Sequence, residues 1–170
     1  MQDRSQELNK EKQAIKLISQ GNLQEAEKVY RNLVTLGTEN HIVYGNLAAL
    51  CGMRGNKKEM IDLLTKALNI NFNYPEAHNN LGIALQEQGN LNAAITSFQQ
   101  ALTLKPNYPD AHNNLGIALK EQGDLNAAIS SFQQALKLKP NSPDAHTNLG
   151  VALQEQGNLN AAISSFQQAL

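Results

Sequence analysis

The sequence predicts an all-α protein, a solenoid of antiparallel helix pairs, and three observations carry that prediction. The first is a period of 34 residues. Residues 75–108 and 109–142 agree at 28 of 34 positions, and residues 143–170 agree with the start of 109–142 at 24 of 28. The second is the helical spacing of apolar residues inside each period. The third is punctuation: glycine stands at position 15 of every repeat, and all five prolines fall between repeats. A fixed period of this length marks units that bury their apolar faces only against their neighbours. Such an array offers a long surface rather than a closed pocket, which predicts a binding scaffold.

The frame runs without insertion through repeats 7–40, 41–74, 75–108, 109–142 and 143–170, the last incomplete, with residues 1–6 as an N-terminal extension. Position 15 is Gly21, Gly55, Gly89, Gly123 and Gly157, and divides each repeat into two helices. Position 7 is Gln13, Leu47, Leu81, Leu115 and Leu149. Position 8 is always small: Ala14, Ala48, Gly82, Gly116 and Gly150. The third repeat shows the logic in full. Ala77, Leu81, Ala84 and Leu85 mark one face of its first helix. Pro75 is tolerated in the first turn, where its missing N–H is no loss, and Glu76 suits the positive end of the helix dipole. Gly89 ends this helix, and Asn90 can cap the next. The second helix carries Ala94, Ile95, Phe98, Ala101 and Leu102 on one side. It must stop before Pro106, which forces Lys105 out of helical geometry.

Composition narrows the partners. The chain has 170 residues and a formal net charge of −1, with 10 Lys+Arg against 8 Asp+Glu in residues 1–74 and 4 against 7 in residues 75–170. This split is too weak to predict a nucleic-acid or membrane partner. No apolar run approaches the length of a membrane helix, and residues 1–6 lack the apolar core of a secretory signal. Cys51 is the only cysteine, so no intrachain disulfide can form. A cytoplasmic protein is the expectation.

Leucine and glycine at positions 7 and 8, alanine at 20, an aromatic at 24, alanine at 27 and proline at 32 resemble the tetratricopeptide repeat. The third repeat supplies Leu81, Gly82, Ala94, Phe98, Ala101 and Pro106. The fourth supplies Leu115, Gly116, Ala128, Phe132, Ala135 and Pro140, and the fifth Leu149, Gly150, Ala162, Phe166 and Ala169. Position 4, often tryptophan in that family, is Tyr44, His78, His112 and His146 here. The first two repeats also depart at Gln13, Leu33, Thr38, Met60 and Phe72. The resemblance implies a right-handed superhelix whose inner face is lined by the first helix of each repeat. It implies a protein or peptide partner, without naming one.

Position 6 is Lys12, Asn46, Asn80, Asn114 and Asn148, opposite the core face of the first helix. Because an amide both donates and accepts, asparagines at regular spacing could hold an extended peptide by its backbone. The pattern resembles the asparagine ladder in the repeat region of O-linked N-acetylglucosamine transferases. Asn79 and Asn113 beside the ladder, and Glu87 and Glu121 further along the helices, complete the candidate peptide-binding set. The alternative is that these amides cap turns or bridge helices. At the N-terminal end the same stripe holds Leu8, Ile15, Ile18, Ile42 and Met53, which suggests an apolar anchor. A clamp for terminal carboxylates, known in the family, is not expected, because position 5 is Glu11, Gly45, Asn79, Asn113 and Thr147 where it needs lysine.

Catalysis is not expected. Histidines one repeat apart cannot meet on one metal ion, since packed helices lie ~8–10 Å apart, so His78, His112 and His146 read as packing residues. Cys51 reads as a small buried hydrophobe. No phosphate loop, nucleophile elbow or carboxylate pair is visible, and no cofactor or metal is predicted. The chain stops inside the second helix of the fifth repeat, and the uncovered face around Phe166–Leu170 suggests self-association. A second reading takes the array as the substrate- or partner-recognition arm of a larger enzyme such as a protein glycosyltransferase.

Overall fold

The computed structural model describes residues 4–170, and among these ten helices and no strand are formed. They are α1 (Arg4–Ser19), α2 (Leu23–Thr35), α3 (His41–Met53), α4 (Lys57–Ile70), α5 (Pro75–Glu87), α6 (Leu91–Leu104), α7 (Pro109–Gln122), α8 (Leu125–Leu138), α9 (Pro143–Glu155) and α10 (Leu159–Gln168). Odd and even helices are the first and second helices of successive repeats. Arg4–Gln6 of the N-terminal extension belong to α1, and residues 1–3 lie outside the described residues. Two compact units are present, Met1–Ala84 and Leu85–Leu170.

The punctuation works as the residue types require. The turn glycines adopt positive φ, +94° at Gly123, where the chain reverses between α7 and α8. Any side chain would be strained there. Asn56, Asn90 and Asp124 then accept hydrogen bonds from backbone N–H groups in the first turns of α4, α6 and α8. Pro109 and Pro143 occupy the first turns of α7 and α9. Lys105 and Lys139, each followed by proline, leave helical geometry at φ −138° and −136°.

In the N-terminal unit the core gathers Ala14, Ala26, Tyr30, Leu33, Val43, Leu47, Cys51, Leu64, Ala77 and Ala84, with Leu17, Ile18, Tyr74 and Leu81 packed against it. Gly45 leaves room for Tyr74, whose Oη would stand 2.6 Å from an added Cβ. The C-terminal unit has its own cluster of Ala128, Ile129, Phe132, Leu149, Ala152, Leu153 and Ala162. Here the small residue at position 8 meets the aromatic ring at position 24. A Cβ on Gly116 would lie 2.6 Å from Phe132 Cε1, and one on Gly150 2.6 Å from Phe166 Cε1. Ile129 is buried where α8 packs on α9, whereas its repeat equivalent on α10, Ile163, is exposed.

Candidate peptide-binding face

The histidines at position 4 do more than fill space. Nε2 of His78 lies 2.9 Å from the Phe72 carbonyl, that of His112 3.0 Å from Pro106 O, and that of His146 2.8 Å from Pro140 O. A carbonyl only accepts, so Nε2 carries the proton and each ring ties its helix to the loop just before it. Nδ1 of His146 is left buried without a partner. The six-residue spacing from histidine to carbonyl was legible in the sequence, but the bond itself was not.

In the N-terminal unit the first helices present an apolar stripe. Leu8 and Ile15 on α1 are each 50% exposed, and Ile42 and Met53 on α3 are 39% and 73% exposed. Ile18 departs from the set, being half-buried against the core. Asn46 is half-buried on α3 and donates from Nδ2 to the Tyr30 hydroxyl at 3.0 Å. Burial raises the ionisation of that phenol above its usual range, and the Asn46 bond opposes the shift. On α5, Asn79 is only 4% exposed, and its amide Nδ2 lies 3.5 Å from Asn80 Oδ1. Asn80 itself is half-buried.

Beside Leu8 lies a depression of about 1020 Å³ lined by Ser5, Glu7, Leu8, Glu11, Glu39 and Asn40. The Thr38 hydroxyl donates to Glu7 Oε1, and Asn40 Nδ2 donates to Glu11 Oε2 at 2.9 Å. These bonds join α1 to the loop ahead of α3.

In the C-terminal unit the candidate residues are bonded to one another across repeats. Asn148 on α9 donates from Nδ2 to Asn113 Oδ1 on α7 at 3.0 Å. Gln86 Nε2 donates to Glu121 Oε2 at 3.0 Å, and Lys120 Nζ lies 3.5 Å from Glu155 Oε1. All three pairs are 35 residues apart, one repeat plus one residue. A second ladder joins Gln122 to Asn92 at 2.6 Å and Gln156 to Asn126 at 2.7 Å. Asn114 is half-buried and Glu87 is exposed. The sequence shows which residues recur, but it does not show that position 6 of one repeat reaches position 5 of the one before. That offset follows from how neighbouring helices are staggered.

One cluster was not foreseen. Arg31 on α2 donates from Nε to Glu27 Oε1 at 2.7 Å, and through Nη1 and Nη2 to the two oxygens of Glu59 on α4 at 2.6 and 3.0 Å. Arg54 Nη2 reaches Glu27 Oε1 at 2.9 Å. The Cys51 thiol beneath is 3.8 Å from Arg31 Nη2, and burial above all pushes its pKa up to about 11. These residues belong to the two repeats that deviate most from the signature, so no periodicity announces them.

Helix pairs of fixed length, joined by glycine turns, define a helical-repeat protein. The chain belongs to the tetratricopeptide repeat family. Two profiles of that family, described as TPR repeat and tetratricopeptide repeat, match residues 84–123 and 118–157, and residues 147–170, respectively. The fold is the all-α fold of that family. Solved structures agree: a crystal structure of MamA is 24% identical with TM-score 0.83, covering 92% of this chain and 91% of that one. MamA 41-end from Desulfovibrio magneticus RS-1 is 16% identical with TM-score 0.85, covering 96% and 92%. YrrB, described as a TPR protein with an unusual peptide-binding site, is 24% identical with TM-score 0.78, covering 94% and 82%. No curated protein matches this sequence.

Proposed function

We propose that this chain is a non-catalytic scaffold that holds an extended peptide or protein segment against the first helices of its repeats. The observation that carries the reading is the Asn148–Asn113 pair. Its single bond uses the Nδ2 of one amide and the Oδ1 of the other. That bond does not use Asn148 Oδ1, an acceptor, or Asn113 Nδ2, a donor, and the two together have the capacity to match a peptide's N–H and C=O. Asn114, Asn80 and Asn46 are the equivalents of Asn148 in the preceding repeats. Asn79, largely buried, serves by holding Asn80, while Glu87 and Glu121 supply negative charge beyond the amides. The bond between the amides fixes their rotamers in advance, which lowers the entropy cost of binding.

At a net ~0.5–1.5 kcal/mol per hydrogen bond, such a ladder supports affinity in about the micromolar range. The test is a peptide array probed with the wild-type chain and with the Asn80→Ala, Asn114→Ala, Asn148→Ala variant, with helicity compared by circular dichroism. We expect broad, weakly sequence-selective binding that the variant loses by roughly tenfold or more, the worth of about 1.4 kcal/mol. Undiminished binding by a folded variant would remove the asparagines from the site.

A further inference from the structure

We propose that the first helices of the N-terminal unit form an anchoring subsite for a peptide segment that carries a Lys or Arg three to five residues from an aliphatic side chain. This rests on the reading of the first helices as the peptide-binding face and adds what the peptide must contain. Position 2 is Leu8 and Ile42 in the first two repeats but Glu76, Asp110 and Asp144 in the other three. Position 13 is Met53 in the second repeat but Glu121 and Glu155 in the last two, each held by a side chain of the preceding repeat. The repeat therefore does not require apolar residues at these places. Neither does the core, which leaves Leu8 half and Met53 nearly three-quarters exposed (50% and 73%).

Charge selects the occupant. Among the described side chains, Glu7, Glu11 and Glu39 line the depression beside Leu8, and no basic one does. Glu7 and Glu11 are fixed there by Thr38 and Asn40. A Lys or Arg can lay its methylene stem along Leu8 and place its charged head among the carboxylates. The helices set the spacing. Ile15 lies seven residues beyond Leu8, about 10 Å along α1, and Met53 lies eleven beyond Ile42, about 16 Å along α3. An extended chain rises about 3.3 Å per residue, so these distances correspond to about three and five residues.

The test uses the whole chain and fluorescein-labelled Gly/Ser nonapeptides carrying one Arg with Leu at the third and Ile at the fifth residue beyond it. Fluorescence polarisation compares this peptide with its Arg→Glu counterpart and with a scramble. We expect binding at least tenfold tighter than either control. Leu8→Ser with Met53→Glu should weaken it about tenfold, and Glu11→Gln with Glu39→Gln should flatten its salt dependence. Both pairs include exposed positions, and circular dichroism checks that the variants fold. Equal binding of the Arg and Glu peptides, or affinity indifferent to Leu8 and Met53, would overturn the subsite. The Asn46→Ala, Asn80→Ala variant, whose asparagines lie in the same unit as the anchor, separates the two readings. If only that variant loses the peptide, the subsite fails and the asparagine face stands. If both variants lose it, anchor and ladder act on one ligand. If no peptide binds, both fail.

Discussion

Gly116 and Phe132 show how one residue decides the packing of a helix pair. A Cβ added to Gly116 would stand 2.6 Å from the Phe132 ring, which leaves no space for a side chain, and Phe132 is fully buried. Gly116→Val should therefore destabilise by roughly 1–3 kcal/mol, and Phe132→Ala by roughly 3–5 kcal/mol, in urea unfolding followed by circular dichroism. A Gly116→Val protein as stable as wild type would mean that α7 and α8 separate at no cost. These two positions were legible because the repeats print them three times. Cys51 was legible as buried from its place on the helix, but its surroundings were not. With the thiol pushed up to about 11 and no exposed surface, iodoacetamide at pH 8 should leave the native protein unmodified and alkylate it fully in denaturant. Rapid labelling of the native chain would contradict the burial.

At the scale of elements, the odd residues of the first two repeats carry the specific joints. Arg31 links α2 to α4 through a two-bonded contact with Glu59, and that guanidinium holds the Glu59 carboxyl below the usual carboxylate range, with burial opposing it. A carboxyl whose folded pKa is lowered binds its proton more readily in the unfolded chain. Its stabilisation is fully present above the unfolded value of about 4.3 and is lost as pH falls through the lower folded value. The urea midpoint of the wild type should therefore fall between about pH 5 and pH 3, and Glu59→Gln should reduce that fall while lowering the midpoint at neutral pH. Parallel pH profiles for the two proteins would exclude the bridge as a stabilising contact. Helix boundaries, turn glycines and caps could all be read in advance, since they depend on residues next to one another in sequence. The Arg31 cluster, the histidine-to-loop bonds and the offset between asparagines depend on how helices lie against each other, and composition at a fixed frame does not contain that.

Across the molecule, the two units differ in how uniquely their contacts specify register. In the N-terminal unit the contacts of Glu7 with Thr38, Glu11 with Asn40, Arg31 with Glu59, and Tyr74 over Gly45 each occur once. In the C-terminal unit the main contacts recur: Gly116–Phe132 as Gly150–Phe166, Gln86–Glu121 as Lys120–Glu155, and Gln122–Asn92 as Gln156–Asn126. A slip of one repeat replaces each of these by a near copy, so the misregistered state lacks little energy relative to the native one. Competing compact states of similar energy slow a search without changing its endpoint. On dilution from denaturant, pulsed hydrogen exchange read by mass spectrometry should show α1–α4 gaining protection in one phase. Helices α7–α10 should gain it in two, the slower independent of protein concentration because the slip occurs within one chain. Replacing Gln122 and Asn92 by a Lys–Glu pair would give this joint a charged pairing that its copy, Gln156–Asn126, lacks, and should shrink the slow phase. A slow phase that grew with concentration would instead locate the exchange of near-identical repeats between chains, and a single phase throughout would show that the six differences between residues 75–108 and 109–142 suffice to fix the register.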